Sequence, residues 1–83
     1  MKMEKEKWEI AVQDAYLYEV GEEYSEQNVK DYGLYGRLSL IDENEKEWII
    51  SHDIEMEGNW ICRVKKEKLS NGRYDMEATE RLK

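Results

Sequence analysis

Apolar and polar side chains alternate through residues 35 to 64 in three consecutive runs. Trp48, Ile50, His52, Ile54 and Met56 alternate with Ile49, Ser51, Asp53 and Glu55. A period of two marks a strand with one buried face. Trp60, Cys62 and Val64 repeat the pattern after Glu57-Gly58-Asn59, a hairpin loop of three residues. That loop predicts Met56 opposite Trp60, Ile54 opposite Cys62 and His52 opposite Val64. It also sets Asp53 against Arg63 on the outer face.

Leu38 and Leu40 carry the same alternation before Glu43-Asn44-Glu45. A turn there predicts Leu40 against Trp48, Leu38 against Ile50, and Asp42 against Lys46. Both loops agree on one core face: Leu38, Leu40, Trp48, Ile50, Ile54, Met56, Trp60, Cys62 and Val64.

Upstream, Trp8, Ile10, Val12, Tyr16, Tyr18 and Val20 share the even positions, with Asp14 the polar exception. This predicts a long first strand over 8–20, bent or bulged at Asp14, or two short strands. Gly21 ends it. Ser25 is placed to cap a short helix and Gly33 to end it, with an ordered loop as the alternative.

Asn71-Gly72 signals a further hairpin. A two-residue turn pairs Lys68 with Asp75 and Lys66 with Glu77. A three-residue loop sets Ala78 opposite Val64 and Met76 beside Lys66, and is preferred because it extends the core face. A helix over 75–82 is the alternative. The predicted fold is mainly β, of α+β class. It is a strongly curved antiparallel sheet or small open barrel of about five strands, with one short helix between the first two strands.

The 83 residues predict one domain, 1–83, with 1–7 and 80–83 frayed. There is no Phe or Pro, so Trp, Tyr, Ile, Leu, Met and Val must fill a modest core. Charged residues make up 40%, which alone suggests disorder, but the alternating runs and three Trp oppose that. A single cysteine excludes an internal disulfide. The charged start carries no secretory pattern, and no apolar run nears the roughly 20 residues of a membrane span. A cytoplasmic protein with no membrane association is expected.

Catalytic chemistry is not legible. His52 has no evident nucleophile or carboxylate partner, so a hydrogen-bonded histidine at the rim of the core is expected. Cys62 falls on the core face, where a small buried hydrophobe is the simpler role. Asp42-Glu43-Asn44-Glu45 is rich in oxygen ligands but lacks the spacing and glycine of a calcium loop. No enzyme activity, metal or cofactor is expected.

Charge is more informative. Residues 19–57 carry twelve Asp or Glu and three Lys or Arg, whereas residues 63–83 carry seven basic and four acidic residues. An acidic field repels phosphate, so direct nucleic-acid binding is not expected. Instead, outward carboxylates suit a basic protein partner, which they would steer electrostatically. The candidate protein-binding residues are Glu22, Glu23, Glu26, Asp31, Tyr35, Asp42, Glu43, Glu45, Glu47, Asp53, Glu55 and Glu57. Tyr35 is expected to face outward beside Asp53.

Short, acidic, Pro-free chains rich in Lys, Glu, Tyr and Asn look like products of low-GC bacteria and their phages. The expected function is therefore a small acidic protein-binding module, a phage or mobile-element inhibitor. Its target would be a basic host protein of nucleic-acid-binding or defence type. Two alternatives stay open. One is a small-ligand protein with an aromatic-lined, nucleotide-like pocket. The other is a structural or oligomerisation module, such as a homodimer through a strand edge.

Overall fold

The computed structural model describes residues 6–54 and 57–82. Two helices, α1 (Lys7–Glu19) and α2 (Glu26–Asp31), precede four strands: β1 (Leu38–Glu43), β2 (Glu47–Ile54), β3 (Gly58–Lys65) and β4 (Met76–Leu82). The strands form one antiparallel sheet in chain order, β1-β2-β3-β4. The α+β class is as expected. The five strands, the strong curvature and the barrel are not: the described sheet has four strands and stays open.

The largest correction concerns residues 8–20, which form α1 instead of a strand. The segment has two readable periods. Trp8, Ala11, Val12 and Ala15 also recur at helical spacing, and Ala is the strongest helix former. Tertiary packing selects this period. The core face of a single sheet needs a cover, and another strand in the same sheet cannot supply one. Ala11, Val12 and Ala15 lie fully buried against Trp48, Ile50, Cys62, Val64 and Tyr74. Ile10, Tyr18 and Val20, which the strand reading placed with Val12, are instead exposed.

Helix α1 lies against β3 and β4, and α2 packs on α1. A second small core of Leu17, Val29 and Leu34 joins the two helices. The short helix forms as expected. Ser25 Oγ accepts from the Asn28 amide at 3.0 Å, capping its start. At its end Gly33 adopts φ +63°, a left-handed conformation that glycine tolerates best. The amides of Gly33 and Leu34 then bond the carbonyls of Lys30 and Val29, each at 3.0 Å.

The three strand pairings keep the expected face but slip in register. In β2–β3, His52 pairs with Trp60, Ile50 with Cys62 and Trp48 with Val64. Gly58 explains the slip. It was expected inside the loop, yet it is the left-handed residue (φ +86°) that opens β3 and pairs with Ile54, while the Glu57 amide bonds the Ile54 carbonyl at 2.9 Å. The slip is even, so no side chain changes face. Asp53 consequently faces Asn59, and Arg63 faces Ile49. Met56, expected on the core face, lies outside the described residues.

In β1–β2, Leu40 pairs with Ile50 and Leu38 with His52, with a bulge between Leu40 and Asp42. The turn is built on Asn44, whose Oδ1 accepts from the Lys46 and Glu47 amides at 2.8 and 2.9 Å. The expected pairing of Asp42 with Lys46 does not form in this register. Because α1 covers the β3–β4 half, Leu40 on the far edge is 36% exposed despite facing the core side.

The expected three-residue turn at Asn71-Gly72 forms, with Gly72 at φ +83° and the Leu69 amide bonding the Arg73 carbonyl at 2.8 Å. However, β3 ends at Lys65 and β4 begins only at Met76, so the turn sits inside a long connection. Residues 76–82 are strand, not the alternative helix. Val64 pairs with Met76 and Cys62 with Ala78. The loop is long because α1 holds its second half: Arg73 bonds Asp14, and Tyr74 is buried against Trp48. Asp14 is therefore no strand bend; it anchors this loop.

Candidate functional site

The twelve candidate binding residues do not form one surface. Around α2 lie Glu22, Glu23, Glu26 and Asp31, with Tyr35 in the turn before β1. The Tyr35 hydroxyl donates to the Glu26 carboxylate. Asp31 accepts from Gln27 Nε2 one helical turn away, at 2.7 Å. Tyr32 and Tyr35 are 41% and 49% exposed, so two aromatic rings stand among the carboxylates. Tyr35 was expected beside Asp53. Instead the Asp53 amide bonds the Arg37 carbonyl at 2.9 Å, and the Tyr35 hydroxyl turns to α2.

At the β1–β2 turn the picture differs. Lys66 reaches Glu43, and Arg63 reaches Glu47. Two carboxylates of this group therefore engage cations of the same chain. Asp42 Oδ1 accepts from the Glu43 amide at 2.8 Å, and Glu45 is exposed. The separation into an acidic middle and a basic end, visible along the chain, is partly cancelled in space here. Asp53 and Glu57 are exposed at the opposite end of the sheet, where β2 turns into β3. Glu55 lies outside the described residues.

A second locus was only partly legible. A cavity of about 280 Å³ opens between the C-terminal end of α1 and the sheet. Its lining includes Tyr16, Glu19, His52, Glu57, Trp60 and Ala78. The walls are overwhelmingly apolar. His52 is 4% exposed and meets the Tyr16 ring edge-on, with centroids 5.1 Å apart. Burial pushes the His52 pKa down; Asp53 opposes this and Arg37 adds to it. The Tyr16 hydroxyl is shifted up by burial, then by Tyr32 and Glu57.

Trp60 Nε1 is buried with no acceptor among the described residues. An unsatisfied buried donor costs about 1–3 kcal/mol. Burial raises the Cys62 thiol to about 11, in keeping with its expected packing role and against thiolate chemistry.

Sequence reasoning missed Glu19 and Val20 as residues that line one cavity with His52, because the strand reading sent residues 16–20 into the sheet. The signal was Ala11 and Ala15. It also missed Arg73 as the partner of Asp14; a lone polar residue on an apolar face was the available clue.

Among the described residues no three His, Cys, Asp or Glu come together as a metal site, and no helix is long and apolar enough to cross a membrane. Comparison with protein families, curated proteins and solved structures finds no match for this chain.

Proposed function

We propose that this chain is a protein-binding module that engages a basic partner through the acidic, tyrosine-bearing surface of α2 and the turn before β1. The observation that carries the reading is the contact between Tyr35 and Glu26. It sets an exposed ring beside a carboxylate of α2, the helix that also carries Asp31 and is flanked by Glu23 and Tyr32. Tyrosines give rigid contact area with a polar tip, and carboxylates facing Lys or Arg form charge-assisted bonds. The β1–β2 group contributes less, because Glu43 and Glu47 already pair with Lys66 and Arg63.

A protein built to hold nucleic acid offers the matching basic groove. Occupying that groove would inhibit it, which is the mode of action proposed for a phage or mobile-element product acting on a host protein. The test is capture of partners from a low-GC bacterial lysate at low salt, followed by elution at high salt. A basic nucleic-acid-binding or defence protein should be retained, released by salt and lost with the triple variant Glu23→Lys, Glu26→Lys, Asp31→Lys. Binding indifferent to both salt and charge reversal overturns the reading.

The apolar cavity favours a second reading, a small-ligand protein. Its nucleotide-like form is the weaker version, because a phosphate at the mouth would meet Glu19 and Glu57.

A further inference from the structure

We infer that the cavity between the end of α1 and the sheet binds an organic cation: a flat apolar body carrying one ammonium or amidinium group. Three observations converge. The cavity, about 280 Å³, lies just below the size of common small-molecule sites and takes a two-ring body. Its described walls are Tyr16, Val20, Ile54, Trp60, Met76 and other apolar groups, with aromatic rings to flank a ligand. Its charged lining residues are both carboxylates, Glu19 and Glu57, and both are exposed at the surface.

The two carboxylates discriminate by charge. An apolar body alone gains from burial, and a cation gains further from Glu19, Glu57 and the faces of Tyr16 or Trp60. An anion loses on each count. No Lys or Arg is among the described lining residues. Arg37 acts on His52 but does not line the space. His52 is buried with a depressed pKa, so it is neutral at pH 7 and does not repel a cation. Trp60 lines the space while its N–H is buried.

The cavity adjoins the α2 surface through the contact of the Tyr16 and Tyr32 rings, 6.2 Å between centroids, but Glu23, Glu26 and Asp31 are not among its lining residues, so each reading can fail alone. The test uses the full chain, isotopically labelled, in two-dimensional NMR. Three matched probes are titrated: 1-naphthylmethylammonium, neutral 1-naphthalenemethanol and anionic 1-naphthoate. The cation should move the Trp60 indole and His52 ring resonances and bind about threefold or more tighter than the neutral probe. The anion should bind weakest. The double variant Glu19→Gln, Glu57→Gln should erase the difference between cation and neutral probe. Ala78→Phe, at an exposed strand position on the rim, should abolish binding of both. Equal affinity for the three probes overturns the cation assignment. Shifts that avoid Trp60 and His52, or binding that survives Ala78→Phe, overturn the site. The Glu23, Glu26 and Asp31 reversals should leave probe binding unchanged.

Discussion

Asp14 in α1 and Arg73 in the β3–β4 loop are 59 positions apart in the chain, and their side chains meet at 2.6 Å. The second Asp14 oxygen accepts from the Tyr74 amide at 2.9 Å. Arg73 Nη2 reaches two backbone carbonyls, those of Asp14 and Glu22, at 3.1 Å each. Its guanidinium also lies 5.1 Å from the Tyr18 ring centroid. One ion pair thus fastens the covering helix, the segment after it and the loop that delivers Tyr74 to the core.

Removing either partner leaves a charge that is poorly solvated. Asp14→Ala is expected to cost about 3 kcal/mol, read as a lower urea midpoint at unchanged slope. Arg73→Met should cost less, because the Asp14 carboxylate left behind keeps its bond from the Tyr74 amide, whereas Asp14→Ala also leaves that amide without its acceptor. The double variant should cost less than the sum of the two. Additive losses below about 1 kcal/mol each would show that the pair does not hold the loop.

The helical reading of residues 8–20 makes its own prediction. Ile10 is 39% exposed, whereas the strand reading buried it, so Ile10→Ala should change stability by about 0.5 kcal/mol or less. Ala15 is fully buried against the sheet, and Ala15→Leu should overpack the contact by about 1–3 kcal/mol. Denaturant titration of the two variants decides it. The reverse order would contradict the placement of α1.

His52 gives stability a pH dependence of fixed sign. Its folded pKa lies below the unfolded value near 6.5 through burial, with Arg37 adding and Asp53 opposing. The unfolded chain therefore binds the proton first. Stability is complete above about 6.5 and falls as pH drops through that value toward the lower folded pKa. The Tyr16 ring packs on the imidazole and remains protonated throughout this window. In a comparison of His52→Gln with the parent by thermal melts from pH 7.5 to 5, the parent should lose more. Parallel curves would remove His52 as the cause.

The sequence by itself determined which residues share the core face of the sheet. Trp48, Ile50, Cys62 and Val64 are all buried where the alternation placed them. Side chains point to alternate faces with a period of two, and every register slip that occurred left each of them on its expected face. The cap at Ser25 and the stop at Gly33 were legible for a similar reason: both depend on local hydrogen bonding and φ. Only the tertiary structure decided the rest. Residues 8–20 carry both a strand and a helical period, and the need to cover a half-exposed sheet chose the helix. Carboxylates equivalent along the chain were given different partners in space: Glu43, Glu47 and Asp14 met cations of the same chain, and Glu26 accepts from the Tyr35 hydroxyl. Charge acts through distance, and distance between residues far apart in the chain exists only once the chain has folded.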